Sequence, residues 1–192
     1  MNRIIPIEKM LLWIAEEKEL GSEEADSVVL ATASGSGEVH SRVVAIREIT
    51  PSGILFFTQK RSRKAKDLND NPSASMTLWL PLRQREVVLD GKVEALSQDE
   101  NQPYWETLPR ERQLRFLSYN SAESFASLNT LRSTYEQLDK QFYNQKIPMG
   151  ESYCGYCFVP HRIYFYTLGQ DTFSEVIQYV LYEGNWNSEP PC

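Results

Sequence analysis

At 192 residues the chain is sized for one domain, and a composition of 41% apolar and 24% charged residues supplies a real core. A formal net charge of −6 argues against a general nucleic-acid binder, which needs clustered Lys and Arg, and no apolar window approaches the roughly 20 residues that span a bilayer. Three cysteines, an odd number, give no disulfide framework, so the chain reads as cytoplasmic and reduced, with no leader expected at its start.

The first predicted element is an amphipathic helix over 5–20, where Ile7, Met10, Leu11, Ile14 and Leu20 recur near helical spacing and Gly21 follows as a C-cap. The pattern then turns to strands. Residues 27–33 (SVVLATA) form a β-branched run closed by Ser-Gly-Ser-Gly; 39–49 and 53–58 read as two more strands split by Thr-Pro-Ser-Gly. A short helix over 62–69 follows, with Ser62 as N-cap and Asn71-Pro72 as its stop. Strands over 74–80 and 85–96 complete a barrel segment, 27–97. Residues 98–146 read as a helical block. The C-terminal strands fall within 153–182, at 153–159, 162–168 and 175–182, and the proline-rich end from Ser188 reads as a loose tail. The expected fold class is mainly β with flanking helices, a single domain over 1–192 built on an antiparallel barrel of six to eight strands.

The feature that carries chemistry is ILFFTQKRSRKAK, residues 54–66, a strand, a turn and a helix start. Positions 60–66 hold five basic residues in seven, in an acidic protein. A helix N-terminus presents unpaired N–H groups and the positive end of its dipole, so the cations Arg63 and Lys64 are unfavourable there unless an anion sits among them. A phosphate site is one reading, with Arg42 on a neighbouring strand as a third cation. A solvated basic turn is the other.

With these residues in view, the chain resembles the pyridoxamine 5′-phosphate oxidase family, which includes the oxidase of vitamin B6 synthesis and phenazine-pathway flavoenzymes. The stretches that carry the likeness are ATASGSGEVHSRVVAIREI, GILFFTQKRSRKAKDLNDNPSASMTLWLP and REVVLDGKVEALS, and the motifs are T-x-x-x-S-R-K-A and S-R-x-V. Pro109-Arg110 and Asn120-Ser121 extend it into the helical block. The resemblance implies an FMN-binding split-barrel homodimer with FMN at the subunit interface. It places Arg42, Arg63 and Lys64 at the FMN phosphate. Val43, Val44, Phe57 and Thr58 line the flavin, partly through backbone groups, and Asn120 and Ser121 reach the cofactor from the other subunit.

The departures bear on the reaction. Glu86 stands where the family has Gln at the flavin ring; an ionised Glu can only accept hydrogen bonds, and it repels an anionic reduced flavin. Tyr166 replaces a Trp. Thr172 and Ser174 replace a substrate-side Arg and His, and Val176 replaces a cofactor-side Arg. Of the four residues that grip the family's substrate phosphate, Arg47 stands for the Lys and Tyr104 matches, whereas Leu108 and Arg112 occupy the other two positions. The resemblance therefore implies an FMN-dependent oxidase acting on a small metabolite other than pyridoxamine phosphate, aromatic molecules included. Arg47, Tyr104 and Arg112 are the candidate substrate contacts, and no catalytic residue is assigned. A non-catalytic flavin- or ligand-binding barrel and a divergent pyridoxamine-phosphate oxidase stay open.

Two other features read as structural. Cys154 and Cys157 form a C-x-x-C in a strand-like run, where positions i and i+3 face opposite sides, and no second pair exists for zinc, so no metal is expected. His161 reads as an exposed turn residue and His40 as a surface residue at a strand end.

Overall fold

The computed structural model describes residues 6–120, 127–169 and 173–190. In chain order the elements are α1 (Pro6–Glu19), β1 (Ser27–Ala33), β2 (Val39–Ala45), β3 (Glu48–Thr50), β4 (Gly53–Gln59), α2 (Arg63–Asp70), β5 (Ser73–Leu80) and β6 (Arg85–Ala95). They continue with α3 (Gln98–Glu106), α4 (Arg110–Asn120), α5 (Leu128–Gln141), β7 (Tyr153–Thr167), β8 (Glu175–Tyr182) and β9 (Asn185–Glu189). The main sheet path runs β2-β1-β5-β6-β7-β4-β3, and β8 joins at β7 with β9 beyond it.

The chain divides into two compact units. The first comprises Met1–Phe56, Lys66–Glu94 and Tyr156–Cys192, and the second Phe57–Ala65 and Ala95–Gly155. The first unit carries most of the sheet. Strict alternation buries one face: Val28, Leu30 and Thr32 of β1, Met76, Leu78 and Leu80 of β5, and Val87 and Leu89 of β6 are all shielded. The register Val29↔Thr77 and Trp79↔Glu86 puts the alternate residues on the opposite face. Helix α1 packs on this unit through Trp13, whose ring meets Phe165 edge-on at 5.0 Å. The carboxylate of Glu17, wholly buried, accepts the amides of Leu82 and Arg83 at 2.7 and 3.1 Å and so holds the β5–β6 turn.

The second unit is helical. Trp105, Leu114, Ile147 and Tyr153 form its core, with Phe57, Phe116 and Leu138 packed against them. Ser97 caps α3 through a capping box with Glu100, and Ser127 caps α5.

Three sequence expectations need correction. The strand expected over 39–49 is two. Ile46 N donates to Asp26 O, whereas Arg47 N donates to Leu55 O, so the backbone changes partners between these residues and β3 pairs with β4 instead of continuing β2. The strands expected over 153–159 and 162–168 are one, β7. Its pairing with β8 begins at Arg162, two residues past Pro160, so the missing proline N–H removes no bond to β8. The tail expected from Ser188 begins inside a strand, β9, which Ser188 and Glu189 complete: Glu183 and Gly184 take φ of 48° and 76°, a two-residue hairpin turn that pairs Tyr182 with Asn185.

Candidate functional site

Each unit holds one cluster of candidate residues. In the second, β4 runs into the start of α2. Ala65 N donates to Ser62 Oγ at 3.4 Å, so Ser62 caps the helix as expected. Thr58 Oγ1 lies 3.3 Å from Ser62 Oγ, and Lys64 Nζ donates to Thr58 Oγ1 at 3.0 Å. No acidic residue occupies the first turn, and Arg63 is exposed there. Helix amides, two hydroxyls, an ammonium and a guanidinium at one helix start make a donor set suited to a phosphate dianion.

Behind it, the Phe57 ring stacks on Tyr153 at 5.2 Å and tilts against Tyr104 at 5.0 Å. Phe57 thus spends its side chain on the core of this unit, which leaves its backbone as the part that can serve a ligand. Cys154 Sγ lies 3.5 Å from Thr58 O and is buried, in keeping with a structural role. Arg112 is exposed near the start of α4. Leu108 lines a cavity of about 650 Å³ with Arg110, Gln113 and Lys146. The described residues do not include Ser121, Thr172 or the Asn120 side chain.

In the first unit Arg42 projects from β2, half-buried. Its Nη1 donates to Thr32 Oγ1 at 2.8 Å and Leu30 O at 3.2 Å, and its Nη2 lies 3.6 Å from Asp67 Oδ2. Thr32 Oγ1 donates to the same carboxylate oxygen at 2.6 Å, and His40 Nδ1 lies 3.1 Å from it. Burial alone would push the Asp67 carboxyl up; the hydrogen bonds from Thr32 and His40 and the charge of Arg42 hold it below the usual carboxylate range. His40 is therefore no surface residue. Its ring belongs to this cluster because position 40 shares a face with Arg42 on β2, and Asp67 of α2 meets that face. His161 is exposed, as expected, but within β7 and not in a turn.

Sequence reasoning missed Thr32 and Asp67. Thr32 is the polar residue at an inward position of an alternating strand, and that mismatch is the signal that could have found it.

Val43 is 67% exposed and pairs with Val29, itself 41% exposed, on the outward face that also carries Trp79 and Glu86. Val44, one position on, is half-buried, and Arg47 is exposed. Tyr166 stacks on Tyr164 at 6.3 Å. Burial, then the charges of Glu86, Tyr164 and Asp90, pushes the Tyr166 hydroxyl above its ordinary value. Among the described residues no helix is long and apolar enough to cross a membrane.

A family profile described as "Pyridoxamine 5'-phosphate oxidase" matches residues 14–142. The pyridoxine/pyridoxamine 5'-phosphate oxidase of Leptospira biflexa is 30% identical over 161 residues, which is 84% of this chain and 76% of that protein. Its namesake from Alteromonas mediterranea is 29% identical over 178 residues, 92% and 84% of the two chains. The fold is similar to that of PhzG from Burkholderia lata 383, solved in complex with tetrahydrophenazine-1-carboxylic acid, with a TM-score of 0.90 at 22% identity over 98% of this chain and 92% of that one. It is also similar to a pyridoxamine 5'-phosphate oxidase-related, FMN binding protein from Nostoc punctiforme PCC 73102, with a TM-score of 0.75 at 17% identity over 97% of each chain. These likenesses bear out the split-barrel fold class. With a profile that spans most of its length and relatives similar over most of theirs, the chain belongs to the pyridoxamine 5'-phosphate oxidase family.

Proposed function

We propose that the protein binds FMN and acts with it as an oxidoreductase on a small metabolite, aromatic molecules included. The observation that carries this reading is the start of α2, where Lys64, Thr58 and Ser62 converge beside Arg63 with no acid in the turn. Arg42, Arg63 and Lys64 are the cations assigned to the phosphate. When bound, the flavin supplies hydride acceptance from a C–N or C–C unit and delivery of the electrons to O₂. The chain supplies binding and tuning. Val43, Val44, Phe57 and Thr58 are assigned to line the flavin, partly through backbone groups, and Glu86 and Tyr166 to set the electrostatics at the ring end.

Arg47, Tyr104 and Arg112 are assigned to the substrate. Leu108, Thr172 and Ser174 cannot carry the charge of the substrate-side family residues they replace, which favours a substrate other than a pyridoxamine phosphate. No protein base is assigned, because His40 is engaged by Asp67 and His161 is exposed. The exposed valines and Trp79 on one sheet face support a homodimer in which a second copy covers them. Asn120 and Ser121 are then assigned to the cofactor of the neighbouring protomer.

The test is flavin reconstitution followed by turnover. Stoichiometric FMN binding with oxygen-dependent oxidation of an amine or dihydroaromatic compound supports the proposal. FMN binding without any turnover leaves only the non-catalytic flavin-binding barrel, and no FMN binding removes the proposal.

A further inference from the structure

The assignment of Arg42 to the phosphate leaves one buried acid without a role. Asp67 is 4% exposed, on a helix whose first turn is cationic. A carboxylate there is costly unless it is fully hydrogen-bonded. It receives Thr32 Oγ1 at 2.6 Å, His40 Nδ1 at 3.1 Å and the approach of Arg42 Nη2 at 3.6 Å. Thr32 is the link: its one proton goes to Asp67, and its oxygen accepts from Arg42 Nη1 at 2.8 Å. The guanidinium is thereby held at Nη1 by Thr32 and the carbonyl of Leu30 and at Nη2 by the field of Asp67.

We infer that Asp67 is a positioning residue that acts through Thr32 and Arg42: it fixes the Arg42 guanidinium in one orientation before an anionic ligand arrives. The inference rests on the assignment of Arg42 to the FMN phosphate. An arginine left to itself loses several rotatable bonds' worth of freedom on gripping a phosphate, and a guanidinium already held by neighbours loses less. The charge of Asp67 works against the ligand. By attraction alone, removing that charge would tighten the binding of any anion. Positioning and simple charge therefore predict opposite signs.

The experiment compares FMN with riboflavin, which lacks the phosphate, by quenching of flavin fluorescence on titration with the full-length protein. Asp67→Asn is expected to weaken FMN about ten-fold or more and to leave riboflavin unchanged. In an Arg42→Ala background the same change is expected to have no further effect. Thr32→Val, close in volume, removes the link without touching either charge and is expected to act in the same direction, which keeps the test open if Asp67→Asn folds poorly. An Asp67→Asn protein that binds FMN as well as or better than the parent overturns the inference. So does equal loss of FMN and riboflavin, or a loss that adds in full to that of Arg42→Ala. A parent protein that binds riboflavin as tightly as FMN removes the phosphate assignment itself, and the inference with it.

Discussion

Thr32 Oγ1 and Asp67 Oδ2 stand 2.6 Å apart, both residues buried, and are separated by 35 positions in the chain. This bond joins a strand to a helix and makes the acid limb of stability readable. The Asp67 carboxyl sits below its ordinary range because its hydrogen bonds and Arg42 outweigh burial. A group depressed in the folded state stabilises above its unfolded pKa and loses that contribution as pH falls through the folded value. Urea midpoints of the parent should therefore fall as pH drops below about 4. Asp67→Asn should be less stable at neutral pH, and the gap between the two proteins should narrow on acidification. A gap constant with pH would contradict this.

Gly155 sits where no side chain fits. A Cβ there would lie 2.5 Å from Phe57 Cε1, 2.6 Å from Asn101 Oδ1 and 2.8 Å from Leu96 Cδ1. Its amide also donates to Asn101 Oδ1 at 2.7 Å. Gly155→Ala should destabilise by about 1–3 kcal/mol, visible as a lowered Tm, because overpacking forces neighbours off their rotamers. An unchanged melting curve would show that the second unit has slack at this point.

Much of the fold was legible from local pattern, since the inward alternation in β1, β5 and β6 and the Ser62 cap are written in neighbouring residues. The split at Ile46 and Arg47 was not, because it depends on which strands lie on either side, Asp26 on one and Leu55 on the other. The continuity of β7 through Pro160 and the hairpin at Glu183 and Gly184 were likewise set by partner strands. At the site, Arg63 and Lys64 stood out as cations where a helix disfavours them. Asp67 did not, because an acid in a polar helix looks like an ordinary solvated residue until β1 and β2 bury it.

Glu86 tests how the protein would tune the proposed flavin. It shares an electrostatic environment with Tyr166, whose hydroxyl its charge helps to push up. Glu86→Gln should shift the midpoint potential of bound FMN in the positive direction by about 30 mV or more, equivalent to roughly 1.4 kcal/mol for a two-electron couple. Spectroelectrochemical titration of both proteins measures this. A potential that stays put would place Glu86 away from the flavin ring.

Val43 tests the homodimer. Its side chain is 67% exposed beside Val29 on the outward sheet face. Val43→Glu should shift the mass measured by light scattering from dimer to monomer and weaken flavin binding along with it, because the proposed cofactor site draws on both copies. A monomeric parent, or a dimer indifferent to the change, would put the interface elsewhere.

The central claim is a phosphate-held flavin at the start of α2, and titration of purified, flavin-depleted protein with FMN under a visible absorption readout tests it most directly. The account predicts a yellow, stoichiometric complex in the parent and binding weakened at least ten-fold in Lys64→Met, about the worth of one charge-assisted hydrogen bond. A protein that stays colourless at every FMN concentration, or a Lys64→Met variant that binds as tightly as the parent, would contradict it.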